Sequence, residues 1–314
     1  MTVEPDFAAT PLTAAKRGVP LGYVFAATGA LLFSSKAIIV KLAYDMGVEP
    51  DTLLALRMAF SLPCYLAIGL IALRLRRRKS LPVPSAQSFI AAMLIGVLGM
   101  WLASYSDFLG LVYISAQFER LILFTYPLFV VIFGALFFDQ RIRTNAVMAL
   151  GVSYIGLALI FTEHFSLEGQ SVLIGAAFVI GAAISFAFYQ LLAKDAIRVL
   201  GPGLFTCIAM TGASIASFVE FFARHDGSAL LVSGPLLGYS ILLALGATVL
   251  PSFFMNAALH RISAQANAAI GFLGPIATTV LAVLILGEKL TAIGMIGTAL
   301  VLVGVAWFTR AESS

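Results

Sequence analysis

Four ionisable side chains, Lys36, Arg57, Glu119 and Arg120, stand inside long apolar stretches of this sequence. A charge held away from water costs a few kcal/mol or more, on the order of magnitude seen for charges in bilayers, unless a partner meets it. An amine and a carboxylate so placed can hold each other as an ion pair, or hold the opposite charges of a ligand. Adjacent helical positions point about 100° apart, so Glu119 and Arg120 face each other poorly and each needs its own partner. Lys36 with Glu119 is the first pair to expect. Two readings stay open for Lys36, Glu119 and Arg120: a charged site or gate, or an ion-pair network that only ties helices together. Arg57 reads as an anchor at one face, and Lys41 as an end residue whose ammonium snorkels to the interface.

Other reactive groups are sparse. His164, His225 and His260 lie far apart, in loops or at helix ends, and no H-E-x-x-H, G-x-S-x-G or phosphate-loop pattern occurs. Enzymatic chemistry is not expected, and no metal or cofactor is implied. Cys64 and Cys207 fall within apolar runs and read as small buried hydrophobes rather than a disulfide.

The elements that carry these residues follow from composition. Of 314 residues, 61% are hydrophobic and only 11% charged, and the mean hydropathy is +1.03. A soluble domain carries about a quarter charged residues. The apolar runs are long and uniform, so they are helices rather than alternating barrel strands. Ten spans are expected, at about 20–44, 52–73, 87–107, 113–138, 144–162, 171–193, 203–223, 234–259, 264–286 and 290–309, each long enough to cross ~30 Å of hydrocarbon. The first contains Lys36 and is too long for a signal-peptide core, so it is expected to be retained. Lys36 then lies about 24 Å into the first span.

The net charge of +4 concerns the membrane, not nucleic acid. Thirteen of the 19 Lys and Arg residues, among them the run RLRRRK over 74–79, fall on one side of the spans, against Arg224 and Lys289 on the other. The positive-inside rule places both termini in the cytoplasm. The acidic stretches 45–51 and 163–170 then lie outside.

The two halves resemble each other. ISAQ occurs at 114–117 and again at 262–265, and the same offset of 148 pairs Pro127 with Pro275, Gln140 with Glu288 and Gly156 with Gly304. Earlier in the halves an offset of 153 pairs Gly22 with Gly175 and Lys41 with Lys194. Each half has five spans, an odd number, so the second copy enters the membrane from the opposite side. The expected fold is an all-α integral membrane protein of ten transmembrane helices in two inverted five-helix repeats. Its parts are a cytoplasmic tail (1–19), a first repeat (20–162), an external linker (163–170), a second repeat (171–309) and a cytoplasmic tail (310–314). Such symmetry supplies two related conformations open to opposite sides and favours a transporter over a channel.

Under this pairing Lys36 matches Tyr189 and Glu119 matches Asn267. One half of the interior would be charged, and the other would offer Tyr189, Gln190, Asn256, Gln265 and Asn267. Trp101 and Tyr105, one turn apart, form either an aromatic wall for a ligand or an interfacial belt. Pro127 and Pro275 mark either hinges or static kinks.

The pattern PLFVVIFGALFFDQRI (127–142), and PIATTVLAVLILGEKL (275–290) followed by GxxGTALVLVG (294–304), resemble the signature of EamA-type permeases of the drug/metabolite transporter superfamily. The likeness runs from 20 to 309. The first copy departs from it, with Asp139–Gln140 where the family has Gly–Glu. The resemblance implies a central cavity lined by spans 1, 3, 4, 6, 8 and 9, and export of amino acids, other metabolites or toxic cations. The aromatic-rich spans resemble exporters of aromatic and neutral amino acids, whose substrates offer a carboxylate and an ammonium to such a cluster. The expected function is alternating-access export of amino acids, large apolar ones included, across a bacterial inner membrane. Export of other metabolites or hydrophobic cations is the alternative, and a channel the reading from another class. The expected partners are a small-molecule substrate and the lipid bilayer; oligomeric state is not legible.

Overall fold

The computed structural model describes residues 12–78, 84–138, 144–168, 170–259, 261 and 273–313, and among them there is no strand. In chain order the helices are α1 (Leu12–Tyr44), α2 (Pro50–Arg78), α3 (Ala86–Tyr113), α4 (Ala116–Leu123), α5 (Tyr126–Phe137), α6 (Thr144–Glu168), α7 (Ser171–Leu200), α8 (Pro202–Arg224), α9 (234–259), α10 (Leu273–Leu286) and α11 (Ala292–Ser313). Seven stretches of these helices are long and apolar enough to cross a membrane, and three shorter apolar helices cover Gly151–Glu163, Leu273–Leu286 and Ala292–Gly304. Large apolar side chains such as Leu70, Leu94, Val219 and Leu284 stand exposed on the outside of the bundle. In water that surface would be a liability; against lipid tails it costs nothing.

Two boundaries differ from the sequence expectation. The third span does not stop at 107 but continues as α3 to Tyr113. The reason lies at the next element: Ser115 accepts the Phe118 N–H at 3.1 Å and so caps α4. The chain therefore turns at 114–115, and ISAQ is a helix start. The stretch 163–170 is also mostly helical, because α6 runs on to Glu168.

The fourth span is broken into α4 and α5 at Phe124–Thr125, and Pro127 sits in the first turn of α5. There its missing N–H costs no hydrogen bond. Wide π-helical turns interrupt α3 at Val97–Leu102, α9 at Leu242–Val249 and α10 at Ala282–Leu286. At an offset of 148 the stretch in α3 corresponds to about 245–250 and overlaps most of the one in α9.

Small residues set the close contacts. A Cβ on Gly156 of α6 would overlap the backbone of Gly297 in α11, and one on Gly304 would overlap Ser153 and Ala149. Repeat mates Gly156 and Gly304 thus pack α6 on α11 from both sides, as small residues do in membranes. Likewise α3 approaches α8 at Gly96 beside Ala209. The main core joins Ile38 and Val40 of α1, Leu53, Leu54, Met58 and Tyr65 of α2, and Phe108 and Leu111 of α3. This core surrounds the buried charges.

Candidate functional site

Three helices bring the charges together. Lys36 of α1 lies with its Nζ 2.5 Å from Oδ2 of Asp107 in α3 and 3.5 Å from Oε1 of Glu119 in α4. The Arg120 Nε is 4.0 Å from Oε2 of Glu119. Arg120 turns the rest of its guanidinium away, donating to the Phe33 carbonyl at 3.2 Å. The Phe33 ring lies beneath both cations, 5.7 Å from the Lys36 ammonium and 5.4 Å from the Arg120 guanidinium. All four charged residues are buried, Glu119 completely. In formal charge the two cations balance the two carboxylates, the arrangement a low-dielectric interior tolerates best. Its hydrogen bonding is incomplete: Asp107 Oδ1, both Glu119 oxygens and Arg120 Nε have no hydrogen-bond partner.

The Lys36–Glu119 contact was expected. Asp107 was not, because the third span was drawn to end on it. The available signal was the apolar run FLGLVY (108–113) that follows it, together with the Ser115 cap. Those two place Asp107 more than a turn inside α3. Arg57 also departs from expectation. It is not a surface anchor but 5% exposed, donating to Ser104 Oγ at 3.1 Å and covering the Phe108 ring at 5.3 Å.

Trp101 and Tyr105 stack at 6.0 Å between centroids with planes 16° apart, both half-buried. Arg224 of α8 covers the Tyr105 ring at 5.7 Å and pairs with Glu220 at 3.1 Å. Tyr189 of α7 packs between Phe186 and Phe205, at 5.7 and 5.9 Å, and against Gly99, where a Cβ would enter its ring. Gln190, the next residue, is exposed. Asn256 lies on α9, its side chain outside the described residues; Gln265 and Asn267 lie outside them altogether. Pro275 is buried in the first turn of α10.

Two further polar contacts join elements at the end where α1 stops and α2 starts. Glu288, in the GEKL motif, accepts the N–H groups of Ala116 at 2.7 Å and Gln117 at 3.2 Å. A carboxylate from the second half thus caps a helix of the first, where the helix dipole favours a negative charge. His225, capping α8, places Nε2 2.6 Å from Asp51 and 3.6 Å from Glu49. The hydrogen bond to Asp51 raises the His225 pKa above its usual value, against a smaller opposing effect of burial. Glu49, Asp51 and His225 bring three potential metal-ligand atoms within 4.8 Å of one another. Their direct hydrogen bond and ion pair account for that proximity.

A bundle of apolar helices with exposed apolar sides around a buried charge cluster suits a protein that lies in a membrane. The signature of the EamA-like transporter family matches residues 20–162 and 173–310, so the chain belongs to that family. It is 31% identical over 292 residues to the uncharacterized transporter YcbK of Bacillus subtilis, covering 90% of both chains. It is 23% identical over 288 residues to an uncharacterized transporter of Clostridium kluyveri, covering 90% of this chain and 91% of that one. A solved crystal structure shares the fold with a TM-score of 0.59 at 16% identity, covering 94% of this chain and 99% of the other. The protein is a multi-pass membrane protein of a small-molecule transporter family.

Proposed function

We propose that the protein exports amino acids, large apolar and aromatic ones among them, across a bacterial inner membrane by alternating access. The observation that carries this reading is the quartet Lys36–Asp107–Glu119–Arg120. It ties α1, α3 and α4 through charge at one end of the bundle. An amino acid carries one carboxylate and one ammonium, so it passes this charge-balanced gate without leaving a net charge behind. A hydrophobic cation would leave one.

In this reading the seven long and three short apolar helices form ten spans. They make two inverted five-span repeats, 20–162 and 171–309, joined by 163–170, with the tails 1–19 and 310–314 in the cytoplasm. The matched π-turns of α3 and α9 and the Gly156–Gly304 packing support the repeat. The end carrying Glu49, Asp51 and Glu288 is external, and Lys36, Glu119 and Arg120 form the outer gate. Trp101 and Tyr105 are the aromatic wall of the substrate path. Tyr189 and Gln190 give the inner half its neutral polar lining, and the helix starts at Pro127 and Pro275 are hinges.

The test is uptake by proteoliposomes of labelled leucine, phenylalanine, threonine, a sugar, a triose phosphate and a lipophilic cation, with Lys36→Ala alongside. Saturable uptake of amino acids, reduced at least about tenfold in Lys36→Ala, is expected, since removing one partner strands buried charge. Uptake of only the cation or the phosphate refutes the substrate class. Amino acid uptake unchanged in Lys36→Ala removes the gate.

A further inference from the structure

Charge is balanced within the quartet, but it is not balanced at Arg57. This guanidinium is 5% exposed, about two turns into α2 from Pro50. Among the described residues no carboxylate makes an ion pair with it. Asp107, on the neighbouring helix, is already held by Lys36 at 2.5 Å. Arg57 spends one N–H on the Ser104 hydroxyl and one face on the Phe108 ring, and its Nε has no hydrogen-bond partner. An arginine stays protonated, so it cannot shed its charge to suit the interior. A lone buried cation is strongly unfavourable unless some anion meets it.

A second unpartnered donor belongs to the same helix face as the residues Arg57 touches. Trp101, Ser104, Tyr105 and Phe108 follow one another at helical spacing along α3. The Trp101 indole N–H is buried without a partner, while its ring stacks on Tyr105. Both rings pack against the core that contains Leu54 and Met58, the neighbours of Arg57 on α2. Ser104, to which Arg57 donates, lies three residues on from Trp101, about one helical turn along α3, so a surplus positive charge, two unused N–H donors and a half-buried aromatic pair share this stretch of α3. A carboxylate fits that set, because its two oxygens suit a planar guanidinium and an N–H donor together.

We infer that Arg57, with the Trp101 indole N–H and the Ser104 hydroxyl, is the seat of the substrate carboxylate, and that the stacked Trp101 and Tyr105 rings take its apolar side chain. Lys36, paired with Asp107 and Glu119 in the gate, is not that seat. The ligand class is a monocarboxylate with a large apolar or aromatic body. This deepens the proposed amino acid export and rests on it for the natural substrate, while the anion site itself can be tested apart.

The protein contains two tryptophans, Trp101 and Trp307, so Trp307→Phe leaves Trp101 as the sole indole reporter. The experiment titrates this full-length variant in detergent with phenylalanine, phenylacetate (no ammonium) and phenylalaninamide (no carboxylate), reading Trp101 emission and melting temperature. Phenylalanine and phenylacetate should change both saturably, and the amide should change neither. Adding Arg57→Gln should weaken binding at least about tenfold without lowering the ligand-free melting temperature, since an unpaired charge is removed. Arg57→Lys, which keeps the charge, should retain part of the affinity. It also keeps the test decisive if the glutamine variant does not fold.

Binding of the amide equal to that of phenylalanine, carboxylate binding unchanged in both variants, or no response to any carboxylate would overturn the site. Arg57-dependent binding of phenylacetate without phenylalanine binding supports the site and removes the amino acid reading. Saturable phenylalanine transport with Arg57-independent binding does the reverse.

Discussion

Asp107 belongs to the buried charge cluster, although the sequence reading left it out. It is the closest partner of Lys36, and with Glu119 it brings the cluster of two cations to neutrality. Asp107→Asn would keep the shape, remove the charge and leave Lys36 facing Glu119 alone at 3.5 Å. Both side chains of the lost pair are nearly inaccessible, so solvent does not screen the change. A loss of about 3–5 kcal/mol is expected, read as a fall in melting temperature of the purified protein. Replacing Lys36 and Asp107 together by methionine and leucine should restore most of it, because no charge is then stranded. An Asp107→Asn protein that melts with wild type would mean the pair contributes nothing. The sequence announced Lys36, Glu119 and Arg120 because a charge in an apolar run stands out. It hid Asp107 because an acid at the drawn end of a run looks like a loop residue.

The apolar helices themselves were legible from hydropathy, seven of them long enough to cross a membrane, since nothing but lipid or core explains such runs. Their internal breaks were legible only in part. Pro127 pointed to an interruption near the α4–α5 break, because proline cannot continue a helix without losing a donor. The π-turns of α3, α9 and α10 left no such trace. In α3 the π-turn accompanies a close approach between helices, where Gly99 meets the Tyr189 side chain of α7, and that depends on a partner distant in sequence. ISAQ was visible as a repeat but not as a start signal, and the partner of its helix, Glu288, lies 172 residues from Ala116. That cap gives a prediction for the element. Glu288→Gln offers a neutral acceptor to at most part of the same N–H pair, so about 0.5–2 kcal/mol of the cap should be lost. Hydrogen exchange at the Ala116 and Gln117 amides should accelerate, with α8 amides unaffected. Equal protection in both proteins would show that the carboxylate does not hold α4.

At the scale of the whole molecule, one end of the bundle is fastened by polar contacts between separate elements. Glu288 holds the start of α4, Thr291 donates to Glu163 at 2.9 Å, and His225 at the end of α8 meets Asp51 at the start of α2. The last of these contains a histidine, a side chain whose charge changes near neutral pH. Hydrogen bonding to Asp51, then the charges of Asp51, Glu49 and Glu220, raise the His225 pKa, with burial opposing them. A group whose folded pKa is raised binds its proton more tightly folded than unfolded. Its contribution is therefore complete below the ordinary histidine value of about 6.5 and is lost as pH rises through the higher folded value. Wild-type melting temperature, followed from about pH 5.5 to 9, should show a decline over that window that His225→Gln does not. The side chain is 22% accessible, so added salt should shrink the difference between the two proteins. Parallel profiles for the two would mean that the α2–α8 contact is held by the neutral ring alone. The end we read as external would then lack a pH-sensitive fastening at His225.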